Sequence, residues 1–188
     1  MIVEMASAFG KQLQGELLGK KHYARIWEML TDVVPGDMVL LNFKDVDVVT
    51  GSWISAMLVP FYRRAADPNI DLFPVLCNAH QDWLDDLSLV AKWTHQCFLV
   101  ADRIHTTPRR AVLIGTLDPG QRITLEAVIE IAEVTGAALE RQRAKDHIGA
   151  TAWNNRLKDL HEKRLLRRIK RGREQVYSPV VEVIKFNG

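Results

Sequence analysis

Thr151, Asn154, Asn155 and Lys158 stand at i, i+3, i+4 and i+7, the spacing of one face of a helix. Their chemistry suits a polyanion that carries information. An asparagine amide donates and accepts at once and so can read a base edge, while a lysine ammonium neutralises a phosphate. Trp153, Leu157 and Leu160 repeat at the same period on the opposite side. They predict a helix over 150–163 that buries one stripe and presents the other. Trp153 has the ring to stack on a base, but its register with the two leucines assigns it to the core. Leu165-Leu166 then opens a hairpin that Val176 and Tyr177 close, with Lys170, Arg171 and Arg173 at its tip around Gly172. Asn154 and Asn155 alone would read equally as solvated polar residues. Their basic surroundings favour contact of one or both with duplex DNA.

Those surroundings are measurable as charge. Residues 141–173 hold twelve Lys/Arg against three Asp/Glu, a formal net of +9, whereas 1–110 hold eleven against thirteen, a net of −2. The whole-chain value of +2 conceals a basic module attached to a slightly acidic one. Phosphate neutralisation supplies most non-specific affinity for nucleic acid, so the asymmetry points to a polyanion at one end.

Other groupings invite chemistry and fail on spacing. GELLGKK at 15–21 has three residues between its glycines and a second lysine, where a phosphate loop needs four and a Ser/Thr. Gly51-Ser52 lacks the second glycine of a nucleophile elbow and an acid–His pair to serve it. Cys77-x-x-His80 and His95-x-Cys97 have zinc-ligand types, but they fall at the end of one strand and the start of the next, opposite edges of a parallel sheet. Both thiols read as buried and reduced. No catalytic constellation, metal or cofactor is expected, and the chain is read as a non-enzyme. Ser52 keeps two readings: a helix N-cap that accepts a backbone N–H bond, or a phosphorylation site at a helix end that tolerates phosphate.

The elements that must position these residues begin as an α/β pattern. Strands are expected at 2–5, 38–43, 70–77, 97–101 and 110–115, and helices at 18–32, 52–66 and 81–93. Tyr23, Ile26, Trp27 and Leu30 form the apolar stripe of the first helix, Pro60 kinks or shortens the second, and Asp67-Pro68-Asn69 makes a turn. This alternation predicts an α/β sandwich with an at least partly parallel, mixed sheet over 1–117. Asp118-Pro119-Gly120 marks a turn and a boundary, and a second domain follows over 118–188. There Thr124 is expected to cap a helix with Leu125, Val128, Ile129 and Ala132 inward and Glu126, Glu130 and Glu133 outward. Thr135-Gly136 ends it and starts a short helix through Leu139 to Arg143. At 188 residues and 47% apolar content the chain can fill two small cores. With no signal peptide and no run of membrane-spanning length, a cytoplasmic location is expected.

LKDLHEKRLLRR, with its Leu-x-x-Leu pair, the wing glycine Gly172 and the closing Tyr177, resembles the signature of winged helix-turn-helix DNA-binding proteins over 121–179. That family usually has glycine where this chain has Arg164, so the third helix is expected to close without the easy left-handed residue. The resemblance implies that Thr151, Ala152, Asn154, Asn155 and Lys158 face the major groove. It implies that Arg156, Lys170, Arg171 and Arg173 anchor phosphates, with Arg168 on the same surface and Arg171 and Arg173 reaching backbone or minor groove from the wing. A two-fold homodimer on a palindromic site is the usual arrangement.

MVLLNFKDVDVVTGSWISAML resembles the STAS-like domains of anti-sigma-factor antagonists, in which a buried strand, an acidic turn and a Thr/Ser pair lead into a helix. In that family a serine at the helix start is phosphorylated by a partner kinase. Ser52, or Thr50, is the matching position, although Thr-Gly-Ser-Trp replaces the usual Asp-Ser-Ser-Gly. The expected function is transcription regulation: 150–163 and the wing at 167–177 read double-stranded DNA under control of the STAS-like domain. One alternative is a signalling adaptor that docks a kinase-like partner and uses the winged helix for protein or non-specific nucleic-acid contact. Another is a nucleotide-sensing α/β domain with the same DNA-binding tail.

Overall fold

The computed structural model describes residues 1–102 and 108–186. The chain forms two compact units, Met1–Thr116 together with the C-terminal residues from Lys185, and Leu117–Ile184. In chain order the first unit contains β1 (Ile2–Glu4), α1 (Met5–Phe9), β2 (Gln12–Leu13), α2 (Glu16–Met29), β3 (Met38–Asn42), β4 (Val48–Val49), α3 (Gly51–Ala65), β5 (Phe73–Cys77), α4 (Leu84–Thr94), β6 (Phe98–Ala101) and β7 (Arg110–Ile114). The second contains α5 (Pro119–Ile131), α6 (Gly136–Gln142), α7 (Ala150–Glu162), β8 (Leu166–Arg171) and β9 (Glu174–Pro179); β10 (Val183–Phe186) ends the described chain. Among the described residues no helix is long and apolar enough to cross a membrane.

An α/β architecture with a mixed six-stranded sheet results, ordered β1-β3-β5-β6-β7-β10. The pairs β1-β3, β3-β5 and β5-β6 are parallel, and β7 runs antiparallel to β6. Each parallel strand is added beside the previous one in the same direction. Right-handed crossovers then place α2, α3 and α4 in one layer on one face. The central strands are continuous apolar runs because both of their faces are buried, as in β5, where all five residues are buried. Trp53, Ile54, Met57, Leu58 and Phe61 of α3 pack with Val39 and Leu41 of β3 and Phe98 and Val100 of β6 into the core. Gly19 lets α2 approach α3 closely, since a Cβ there would lie 2.8 Å from that of Ala56. Burial holds the His22 imidazole below its ordinary pKa, and its Nδ1 accepts from Trp53 Nε1 at 3.1 Å.

Several local expectations need correction. The N-cap of α3 is Thr50, not Ser52: Thr50 Oγ1 accepts from Trp53 N at 3.4 Å and from Gly15 N at 3.1 Å. The helix runs through Pro60 to Ala65 without being shortened. β5 begins only at Phe73, because Ile70 N and Asp71 N both bond to Asp67 O and prolong the preceding turn. The helix expected over 81–93 is a 3₁₀ turn, Gln81–Trp83, followed by α4. The five-residue α1, which buries Met5 and Phe9, had no counterpart in the sequence pattern.

In the second unit Asp118-Pro119-Gly120 starts a helix rather than a turn. Asp118 Oδ1 accepts from Gln121 N at 2.8 Å, Gln121 Oε1 accepts from Asp118 N at 3.4 Å, and Pro119 takes the first helical position. Thr124 is therefore no cap. It is fully buried in mid-helix and donates to Gly120 O at 2.7 Å. Thr135 does cap α6, accepting from Ala138 N at 3.2 Å. Trp153, Leu157 and Leu160 of α7 are buried as their spacing predicts. The end of α7 closes without glycine, and Arg164 itself takes the left-handed conformation at φ 62°. Its N–H bonds to His161 O at 2.9 Å and that of Leu165 to Leu160 O at 3.0 Å, the two bonds of a Schellman closure. β8 and β9 then pair antiparallel from Leu166↔Pro179 to Arg171↔Glu174, and Val134 bridges to Tyr177 on the far side.

Candidate functional site

A groove of about 450 Å³ lies between the start of α6, the exposed face of α7 and the β8-β9 hairpin. Asn154, Asn155 and Lys158 enter it from α7 and Arg168 and Arg173 from the hairpin, so five of the residues singled out by sequence meet in one place. The hairpin register explains which cations take part. Side chains alternate between faces along a strand, so Arg168 and Lys170 share one face with their partners Tyr177 and Gln175, while Arg171 points to the other. Arg168, Gln175 and Tyr177 all line the groove, and Lys170 is exposed closer to the tip.

Two of the expected phosphate anchors are otherwise engaged. Both terminal nitrogens of Arg171 donate to Glu133, at 2.8 and 3.0 Å, a bidentate pair with a residue just past the end of α5. Arg156 lies half-buried with its guanidinium 5.5 Å from the Trp153 ring centre, and a Cβ on Gly120 would lie 3.0 Å from it. Its Nη1 is buried without a hydrogen-bond partner among the described residues. Lys158 keeps only a loose i,i+4 contact with Glu162 at 3.6 Å, both side chains well exposed. Thr151 and Ala152 are exposed on the first turn of α7, outside the groove.

Sequence reading missed the opposite wall. Thr135, Gly136 and Ala137 line the groove from α6, and Glu174 adds a carboxylate from the hairpin. Gly136 matters because Asn154 Oδ1 lies 2.2 Å from where its Cβ would be. Only glycine leaves the amide that space. The signal was the Thr-Gly pair itself, which had been given only a capping role; Gln175 and Tyr177 were reachable by pairing the hairpin residues two by two.

In the first unit Thr50 is held by its three hydrogen bonds, the third to Ser52 Oγ at 3.1 Å, whereas Ser52 is exposed. Asp86 of α4 already serves the start of α3, its Oδ2 accepting from Gly51 N at 2.8 Å. Ser52 also lines a second groove of about 460 Å³ between α2 and α3, with Tyr23, Val59, Pro60, Lys20 and Arg63. The Cys/His pairs stay apart. Cys77 stands opposite Ala101, four residues beyond Cys97, and burial pushes its thiol up to about 12. Among the described residues no three His, Cys, Asp or Glu side chains are grouped to hold a metal ion. The chain matches no family model, no curated protein and no solved structure, which leaves the chemistry of the groove as the basis for a function.

Proposed function

We propose that the chain is a DNA-binding regulator: the second unit is a winged helix that reads duplex DNA with α7, and the first is a STAS-like module that controls it. The observation that carries this reading is the convergence of two amides, Asn154 and Asn155, with three cations, Lys158, Arg168 and Arg173, on one groove. The order helix, bridging strand at Val134, helix, helix, hairpin supports it, since a winged helix needs that sequence of elements. The exposed face of α7 would enter the major groove, with Asn154 and Asn155 on base edges and Lys158 on phosphate. Arg173 and Lys170 would reach the flanking backbone from the hairpin. Arg171 must exchange Glu133 for phosphate and so contributes less, and Arg156 acts by holding α7 against α5. A two-fold homodimer on a palindromic site belongs to the same reading, and no catalytic step is part of it.

Selection of bound duplexes from a random pool by the full chain, at two salt concentrations, tests the proposal. A motif that survives the higher salt is the expected result; motif-free binding that vanishes with salt would overturn sequence reading and leave charge alone. The exposed hydroxyl of Ser52 beside the α2-α3 groove favours a second reading, docking of a kinase-like partner on the first unit. This reading predicts that Ser52→Ala abolishes modification of the chain by the partner, measured as incorporated phosphate.

A further inference from the structure

Helix α4 buries Leu87, Val90 and Ala91 and leaves its opposite stripe to solvent. Apolar groups do not ordinarily lie outward in register, yet Leu89 is 51% and Trp93 76% exposed, one turn apart. Asp85 lies one turn before Leu89 on the same stripe and Lys92 one turn after it, both exposed and neither in an ion pair among the described residues. The stripe is thus acidic at its start, apolar in its middle and basic at its end.

We propose that this face of α4 pairs antiparallel with the same face of a second copy of the chain. A two-fold axis near Leu89 sets Asp85 of one copy beside Lys92 of the other, twice over, because an isologous contact repeats every pair. Helical side chains lean towards the N-terminus, so each Trp93 ring covers the turn of its own Leu89 and the two rings enclose the central leucines. Antiparallel pairing also sets each acidic helix start against the partner's basic end, where the helix dipoles favour it. A parallel or head-to-tail arrangement would set Asp85 against Asp85 or leave the charges unmatched. A single face of eleven residues buries less than the roughly 800 Å² per partner of a standard interface, so association in the micromolar range is expected. The pairing does not rest on the DNA reading and stands or falls without it.

Sedimentation of the full chain over a concentration series tests it. The wild type is expected to pass from monomer to dimer. Trp93→Glu is expected to weaken the dimer by about 100-fold, because a central aromatic anchor is lost on both sides. Asp85→Lys or Lys92→Asp alone sets like charges across both contacts and is expected to weaken it roughly tenfold, and the double variant D85K/K92D to restore it. All three substituted positions are exposed, and unchanged thermal unfolding of the variants verifies that they fold. A wild type that stays monomeric up to about 1 mM overturns the proposal. So does a dimer indifferent to Trp93→Glu, or one weakened by each reversal without rescue in the double variant.

Discussion

Two grooves of nearly equal size, about 450 Å³ in the second unit and about 460 Å³ in the first, differ in what converges on them. One gathers two amides and three cations from helix and hairpin. The other, between two packed helices, has Tyr23, Val59 and Pro60 in its wall, and its lysine, Lys20, is paired with Glu16. Volume therefore does not distinguish them; the number of amides and cations that converge on each does. The interiors do not share this contrast. The first unit buries Asn42, whose amide donates to Glu4 at 2.6 Å while its Oδ1 accepts from Asn78 at 2.6 Å, and the second buries Thr124, His161 and Arg164.

The largest effect should come from removing cations. Replacing Lys158, Arg168 and Arg173 together with alanine is expected to lower duplex affinity about 100- to 1,000-fold at low salt and to flatten the salt dependence by roughly 0.9 per lost phosphate contact. Lys20→Ala with Arg63→Ala should change neither. Fluorescence anisotropy across a salt series measures both, and equal losses from the two sets would erase the contrast. Next, Asn154→Ala and Asn155→Ala should each cost about 1–3 kcal/mol on the preferred site, and little on random duplex. Gly136→Ala should reproduce part of the Asn154 effect, since the new methyl displaces that amide while α6 itself tolerates alanine; the selected motif should blur at one position.

The interior of the first unit is probed by pH. The folded pKa of His22 lies below its unfolded value near 6.5, so the unfolded chain binds the extra proton first. This contribution is complete above about 6.5 and is lost as pH falls towards the folded pKa. Urea unfolding should therefore show a lower midpoint at pH 5 than at pH 7, and His22→Leu should reduce that difference while leaving Trp53 Nε1 unpaired at a cost of about 1–3 kcal/mol. The smallest effect concerns Ala132, exposed at φ 72° where α5 ends; Ala132→Gly should stabilise the second unit by up to about 1 kcal/mol in thermal unfolding.

Much of this was legible in the sequence wherever one element decides the outcome. The burial of Trp153, Leu157 and Leu160, and the exposure of Asn154 and Asn155 opposite them, needed only helical period. Apolar runs such as 38–42 and 97–101 announced covered strands. What stayed hidden depended on residues far apart or on rival local signals. The Arg171–Glu133 pair joins positions 38 residues apart, and nothing local to the wing reveals it. Asp118-Pro119 is both a turn signal and a helix start, and the reciprocal bonds with Gln121 decided between them. Thr50 outcompeted Ser52 as a cap because Gly15, brought in from another segment, bonds to the same oxygen.

The strand order of the first unit bears on where a small molecule would be sensed. Open α/β sheets hold their ligands in the crevice formed where successive crossovers reverse direction and part to opposite faces. The parallel strands β1, β3, β5 and β6 are laid down without such a reversal, so their order by itself creates no switch point among the described residues. Of the polar side chains there, Asn42 donates to Glu4 and accepts from Asn78. A macromolecular signal needs no such crevice and can be received on the outer surface of the helical layer.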